Sequence, residues 1–370
     1  MFRGSLSMRI AIVAGGTGGH IYPGIAIAQE IEGRALPAGR QGAKHEILFI
    51  GSEEGLEKDL VPRAGFKIKL IKSRALLRKL SYKALSAPFV SAFGFFQAFN
   101  VLREFSPQAL IACGGYASLP VVLAARTLSI PVYLHEQNVL PGITNRFLSR
   151  LARKVFLSFE GSERWLKGIV TGNPVRREIV KADRNRARAA LGFSPQDRVI
   201  LVLGGSQGAR TINQAVVAGL SLLGGAGNIK IFHVSGQRDA RMVEAALGSK
   251  KYGFYRKADY LYNIAEALAA ADLVISRAGA TAVAEFLVRG LPMVLVPFPY
   301  SAERHQELNA RVVVDGGAGI MVKDEDFTPE KFISLLLSDI DLEKMRRAAL
   351  KMARPAAAGR IIDELGIGTN

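Results

Sequence analysis

His20 closes a glycine-rich turn, GGTGGH at residues 15–20, that follows the apolar run of residues 8–14. An imidazole delivered by such a turn can take a proton near neutral pH. The plainer alternative is that His20 caps a helix that starts there, with Pro23 near its first turn. A second turn repeats the plan: GGSQG at 204–208 follows RVILVL at 198–203, with Ser206 among the glycines and Arg210 just beyond. Glycine lets the backbone approach a ligand closely, and the next helix turns free N–H groups toward an anion. The Ser206 hydroxyl suits a phosphate or pyrophosphate. Neither turn is a dinucleotide fingerprint. Counted from Gly16, the G-x-G-x-x-G pattern puts Ile21 where the third glycine belongs.

Further polar clusters follow apolar runs. Gly114, Gly115, Tyr116 and Ser118 come directly after one such run, and His135, Glu136, Gln137 and Asn138 end the next. Four successive polar residues make poor core but suit a ligand at the carboxyl end of a parallel strand. SRAGATAVAE at 276–285 again follows an apolar run. Its small residues allow close backbone approach, and Glu285, one to two turns into the next helix, could accept both hydroxyls of a ribose. The alternative is a solvated helix glutamate. His305, Gln306 and Asn309 suit sugar hydroxyls. His233 lies within a strand pattern and reads as a core histidine, and His45 is assigned no role.

These residues need a scaffold that alternates strands with helices. Strands are expected near 8–14, 46–50, 67–71, 109–113, 132–135, 155–157, 199–203, 229–234, 273–276 and 293–296, the α/β pattern of parallel sheets covered on both faces. The turn-rich TGNPV at 171–175 is the expected break, giving domains at 1–172 and 173–370. A last helix is expected over about 342–365, free to pack back on the first domain. Residues 33–44 lack apolar periodicity and read as a surface insertion.

The chain of 370 residues is 49% hydrophobic, enough for two cores, and its single cysteine, Cys113, excludes an internal disulfide. Residues 1–7 are too short for a signal peptide and lead straight into the first strand, so Met8 is read as the native start and the first seven residues as an extension. A net charge of +17 points to an anionic partner, either a membrane or a phosphorylated substrate. Without zinc-ligand spacing or an RNA-binding aromatic signature, no nucleic-acid partner is expected. Lys67, Lys69, Lys72, Arg74, Arg78, Lys79 and Lys83 form a run without acidic residues, and the uncharged stretch 84–102 behind it carries Phe89, Phe93, Phe95, Phe96 and Phe99. Pro88, Ser86, Ser91, Gln97 and Asn100 argue against a membrane span. Phenylalanines on more than one helical face call for a second partner besides the core, and an anionic membrane surface fits the adjacent charge.

GGTGGHIYPG, GGYAS, HEQN with PGITN at 141–145, GNPVR, GGSQGAR, SRAGA…E and HQELNA occur in one order. As a set they resemble the MurG family, the bacterial glycosyltransferases that make lipid II. The resemblance runs from about Met8 to near the C-terminus. It implies a GT-B architecture, two Rossmann-like doubly wound domains facing across a cleft. It also implies inverting transfer of N-acetylglucosamine from its UDP donor to undecaprenyl-pyrophosphoryl-N-acetylmuramyl-pentapeptide, at the cytoplasmic face of the bacterial inner membrane, with no cofactor and no metal. Asp324 and Asp326 sit in a late polar segment and match no metal motif. By the same resemblance the donor would meet Thr17, Gly18, Gly19, Asn138, Arg176, Ser206, Leu261, Ala280, Thr281, Glu285, His305 and Gln306. Of these, Ser206 and Arg176 would face its phosphates, Leu261 the uracil and Glu285 the ribose. The acceptor would meet Gly15, Gly16, Gly114, Gly115, Tyr116, Ser118, His135 and Asn145. His20 is the implied base, with Glu136 as the substitute candidate. Two other readings fit paired nucleotide folds: a membrane-docked sugar-nucleotide-binding subunit without chemistry of its own, and an NAD-type oxidoreductase. The broken fingerprint argues against the second.

Overall fold

The computed structural model describes residues 7–34, 45–73, 82–205, 208–224 and 227–366, with side chains throughout except at 82–91. The chain divides into two compact units, residues 1–177 with 354–370, and residues 178–353. The division therefore falls after Arg177 rather than at residue 172.

In the first unit the elements run β1 (Arg9–Val13), α1 (Gly18–Gly33), β2 (Glu46–Ser52), α2 (Glu57–Arg63), β3 (Lys67–Ile71), α3 (Tyr82–Phe105), β4 (Ala109–Ala112), α4 (Ser118–Thr127), β5 (Val132–Glu136), α5 (Ile143–Leu148), β6 (Lys154–Leu157) and β7 (Ile169–Val170). Among the described residues these strands form one parallel sheet in the order β3-β2-β1-β4-β5-β6-β7. The period of two along β1 explains its central place. Ile10 and Ile12 enter the core on one face of the sheet, and Ala11 and Val13 enter the core on the other.

The second unit runs α6 (Arg177–Lys181), α7 (Arg184–Ala190), β8 (Arg198–Leu203), α8 (Arg210–Gly219), β9 (Ile229–Val234), α9 (Ala240–Leu247), β10 (Tyr255–Ala258), α10 (Ile264–Ala270), β11 (Leu273–Ser276), α11 (Ala280–Val288), β12 (Met293–Leu295), α12 (His305–Asp315), β13 (Gly319–Met321), α13 (Pro329–Leu337) and α14 (Leu342–Met352). Its sheet is parallel, in the order β10-β9-β8-β11-β12-β13. β7, β10 and β13 are edge strands that the apolar pattern did not reveal. They are short or half-exposed, so their sequences carry little hydrophobic signal.

The single long helix expected over 342–365 is two helices. Pro355 follows α14, and a new helix, α15 (Ala357–Leu365), begins after it. Proline disfavours helical geometry in the residue before it. Ile361, Ile362 and Leu365 of α15 join the core that contains α1, and Lys154 reaches the Glu364 carboxylate at 2.7 Å. The C-terminal helix thus belongs to the first unit.

Both sheets reverse their winding beside the strand that opens the unit, between β1 and β4 and between β8 and β11. Such switch points leave a crevice at the carboxyl ends of the strands. The glycine turn at 15–20 follows β1 and the pair Gly114–Gly115 follows β4. The turn at 204–208 follows β8 and the SRAGA segment follows β11.

Candidate active site

At the first switch point the two glycine turns lie against each other. β1 and β4 end in register, Val13 opposite Ala112, and the Cys113 N–H donates to the Val13 carbonyl at 2.8 Å. A Cβ on Gly115 would stand 2.2 Å from the Gly15 carbonyl oxygen, and one on Gly114 would stand 2.9 Å from His20 Nδ1. Both glycines have positive φ, so backbone conformation and close approach each demand them. His20 lies in the first turn of α1, half-buried. Its Nδ1 is 3.1 Å from the Cys113 carbonyl and 3.0 Å from Gln137 Oε1.

The turn is also braced from α2. The buried Glu57 carboxylate accepts from the Ser52 N–H at 2.6 Å and from the Gly16 N–H at 3.0 Å. Gly16 therefore spends its N–H on Glu57 rather than on a bound anion. Tyr116 packs over Gly16. Tyr22 of α1 packs over Gly18, and the Arg176 guanidinium stacks on the Tyr22 ring, 3.8 Å from its centroid. Arg176 is only 6% exposed and is part of the first unit.

In the second unit the expected ribose contact, Glu285, is 7% exposed, which removes the solvated reading. It shares α11 with the buried Ala280 and Thr281. Asn309 of α12 donates to the Ala278 carbonyl at 3.1 Å and so ties α12 to the turn after β11. At the start of α12, His305 Nδ1 lies 2.8 Å from the Ala302 carbonyl, and Gln306 Oε1 accepts from the Phe298 N–H at 3.0 Å. Leu261 is half-buried in the segment after β10. Asp324 is bound to Arg277 and accepts from Thr211, which makes it a structural carboxylate. No group of three or more His, Cys, Asp or Glu among the described residues is arranged to hold a metal ion.

Residues 10–157 match the glycosyltransferase family 28 N-terminal domain, and residues 199–364 match its C-terminal domain. The UDP-N-acetylglucosamine–N-acetylmuramyl-(pentapeptide) pyrophosphoryl-undecaprenol N-acetylglucosamine transferase of Moorella thermoacetica is 43% identical, over 96% of this chain and 97% of the relative. Its namesake from Desulforamulus reducens is 39% identical, again over 96% and 97%. This chain belongs to that transferase family. The crystal structure of Acinetobacter baumannii MurG superposes with a TM-score of 0.72 at 28% identity, covering 97% of this chain and 99% of that one. The fold is accordingly the two-domain GT-B α/β fold of a family 28 glycosyltransferase.

Within this transferase, the expected residues divide into those that line the switch points and those that stand behind them. His135 is fully buried, and burial lowers its pKa to about 4, so it is a neutral internal group and not a surface for the acceptor. Ser118 is likewise buried and donates to the Gly114 carbonyl at 2.8 Å, which shapes the turn from behind. Glu136 is a brace rather than a base. One oxygen accepts from the Asn138 N–H at 2.9 Å, and the other accepts from Asn145 Nδ2 at 2.8 Å and the Gly142 N–H at 3.2 Å. Asn145, mostly buried, is its partner. Gly18 and Gly19 belong to the first turn of α1 and not to a loop, which puts Pro23 in the second turn. Ser206 lies outside the described residues. Among the remaining residues, Gly16, Thr17, Gly19, His20, Gly115, Tyr116 and Asn138 keep some exposure. Glu57 and Gln137 had no sequence signal of their own as structural partners. Glu57 sits on a short helix remote in sequence from the turn it braces. Gln137 was visible only as part of a polar run.

Proposed function

We infer that this protein transfers N-acetylglucosamine from UDP-N-acetylglucosamine to the lipid-linked muramyl-pentapeptide, lipid I, to give lipid II. The observation that carries the reading is identity over nearly the whole chain to transferases named for that reaction. In this reading the first unit takes the lipid acceptor and the second takes the UDP-sugar. The acceptor hydroxyl attacks the anomeric carbon from the face opposite UDP, its proton passes to His20 Nε2, and the bond to the UDP oxygen breaks. Charge grows on the departing diphosphate. Ser206, Arg176 and the α8 N-terminus are assigned to meet it, each preorganised donor contributing about 3 kcal/mol to lowering the barrier. Leu261 is assigned to the uracil, Glu285 to the ribose, and His305, Gln306 and Asn138 to the sugar, with Thr17, Gly18, Gly19, Ala280 and Thr281 lining the donor. Gly15, Gly16, Gly114, Gly115 and Tyr116 are assigned to the acceptor.

The first unit is also proposed to meet the cytoplasmic leaflet. α3 turns Phe95, Phe99, Ala98 and Leu102 into the core but leaves Phe93 52% and Phe96 64% exposed. Lys72 Nζ lies 5.2 Å from the Phe93 ring centroid, and Lys67, Lys69 and Lys72 are exposed nearby in sequence. Exposed aromatic rings beside cations favour an anionic interface, each cation contributing about 1 kcal/mol at low salt. No helix among the described residues is long and apolar enough to cross a membrane. Arg74, Arg78, Lys79, Lys83 and Phe89 belong to the same proposal but lie outside the described side chains.

A transfer assay with labelled UDP-N-acetylglucosamine and the lipid-linked muramyl acceptor tests the reading. The purified protein should form lipid II, and His20→Ala should lose about a hundredfold in kcat while still binding the donor. Donor binding without transfer would overturn the enzyme reading in favour of a binding subunit. An unchanged rate in His20→Ala would remove the base.

A further inference from the structure

Behind His20 lies a chain of hydrogen bonds in which only one arrangement of protons is consistent. The Cys113 carbonyl can only accept. Gln137 approaches it at 2.7 Å through Nε2, which fixes the orientation of the side-chain amide. The second Nε2 hydrogen meets His135 Nδ1 at 3.0 Å, so that nitrogen accepts. His135 is therefore protonated on Nε2, which lies 3.3 Å from Ser158 Oγ, while the Ser158 hydroxyl donates to the Glu136 carbonyl at 2.7 Å. With Gln137 Nε2 turned inward, Oε1 is left facing His20 Nδ1 at 3.0 Å, and it can only accept. Both oxygens near His20 Nδ1, from Gln137 and Cys113, call for a proton on that nitrogen.

We propose that Gln137 is the positioning residue that sets the tautomer of His20, holding the proton on Nδ1 so that Nε2 carries the lone pair. The proposal rests on the reading of His20 as the base. It adds why the base is ready before substrate arrives: an imidazole with the proton on the other nitrogen would have to exchange it first. An amide suits the task because it accepts from His20 and donates to His135 at once, and because it is neutral. A carboxylate at the same place would favour the imidazolium, which cannot act as a base. The other charged and titratable groups nearby are committed elsewhere. Glu136 binds Asn138, Gly142 and Asn145, and Glu57 binds Ser52 and Gly16. Tyr116 covers Gly16, Arg176 stacks on Tyr22, and His135 stands behind Gln137 as a neutral ring.

The experiment reads imidazole ¹⁵N resonances of the full-length protein near pH 8, with His20 assigned from its loss in His20→Ala. The wild type should show His20 protonated on Nδ1. Gln137→Leu should shift the ratio toward the Nε2-protonated form about fivefold, the worth of one hydrogen bond, and lower kcat in proportion to the Nδ1-protonated fraction that remains, with the donor KM unchanged. Gln137→Glu, which keeps the shape of the side chain, should move the acidic limb of the kcat profile to higher pH. A wild-type His20 protonated on Nε2 would overturn the proposal without recourse to any variant, as would an unchanged ratio in a folded Gln137→Leu protein. If the Nδ1-protonated fraction falls but kcat does not fall with it, Gln137 sets the tautomer and the base reading of His20 fails instead.

Discussion

Replacing Glu57 with alanine should cost the protein stability and loosen the turn that carries His20. The carboxylate is fully buried and accepts two backbone bonds, from Ser52 and Gly16. Its removal leaves the buried Ser52 N–H without a partner, at roughly 2–3 kcal/mol, while the half-exposed Gly16 N–H can turn to water for roughly 0–1 kcal/mol. Relief of carboxylate desolvation offsets part of this, for a net loss of about 2–3 kcal/mol. At 2–4 °C per kcal/mol for a unit of this size, the melting temperature should fall by about 4–12 °C. Glu57→Gln keeps the shape and one acceptor oxygen, so roughly half that loss is expected. Thermal unfolding gives the magnitude, and amide exchange at Gly16 and Ser52 localises it. Because Gly16 is four residues from His20, the transfer rate at permissive temperature should fall as well. An alanine variant that melts within 2 °C of the wild type, with unchanged exchange at both amides, would refute the brace.

Gly115→Ala should be more damaging than Gly65→Ala. Both have positive φ, but only at Gly115 would the new Cβ overlap another backbone, 2.2 Å from the Gly15 oxygen, and melting curves of the pair separate the two costs. Glu285→Ala should raise the donor KM more than it lowers kcat; a large loss of kcat at constant KM would reject the ribose role. Two buried histidines should make the fold acid-sensitive above the range where carboxylates titrate. Burial holds His135 at about 4 and His233 at about 3, below the ordinary 6.5, so the unfolded chain binds protons first. Their contribution is intact above pH 6.5 and is lost as pH falls through the window down to those values. Denaturant unfolding between pH 7.5 and 5 should show that decline, and a flat profile there would contradict it. Phe93→Ser with Phe96→Ser should weaken sedimentation with anionic vesicles without changing donor binding, and equal sedimentation would remove α3 from the membrane proposal.

Much of the scaffold was legible in the chain because the part of a strand buried on both faces must be apolar, as β4 is throughout and β1, β8 and β11 are apart from one end residue each. His233 was also readable: it lies inside an apolar strand, and its two nitrogens meet Tyr255 and Asn213 at 2.9 Å. The glycine turns marked the carboxyl ends of β1 and β4, because few other residues tolerate the close backbone approach found there. What local pattern did not carry was direction. HEQN reads as four polar residues at the end of a strand, yet His135 and Glu136 are buried supports, Gln137 connects His135 to His20, and Asn138 alone is partly open. Nor did local pattern carry partnership. Glu57 meets Gly16 across 41 residues, and α15 enters a core whose first strand is more than three hundred residues away. Apolar period and glycine placement are written in neighbouring residues, since they answer to backbone geometry within one element. Which polar atom faces another depends on sheet order and on which strands end side by side, and that is settled only when distant segments pack.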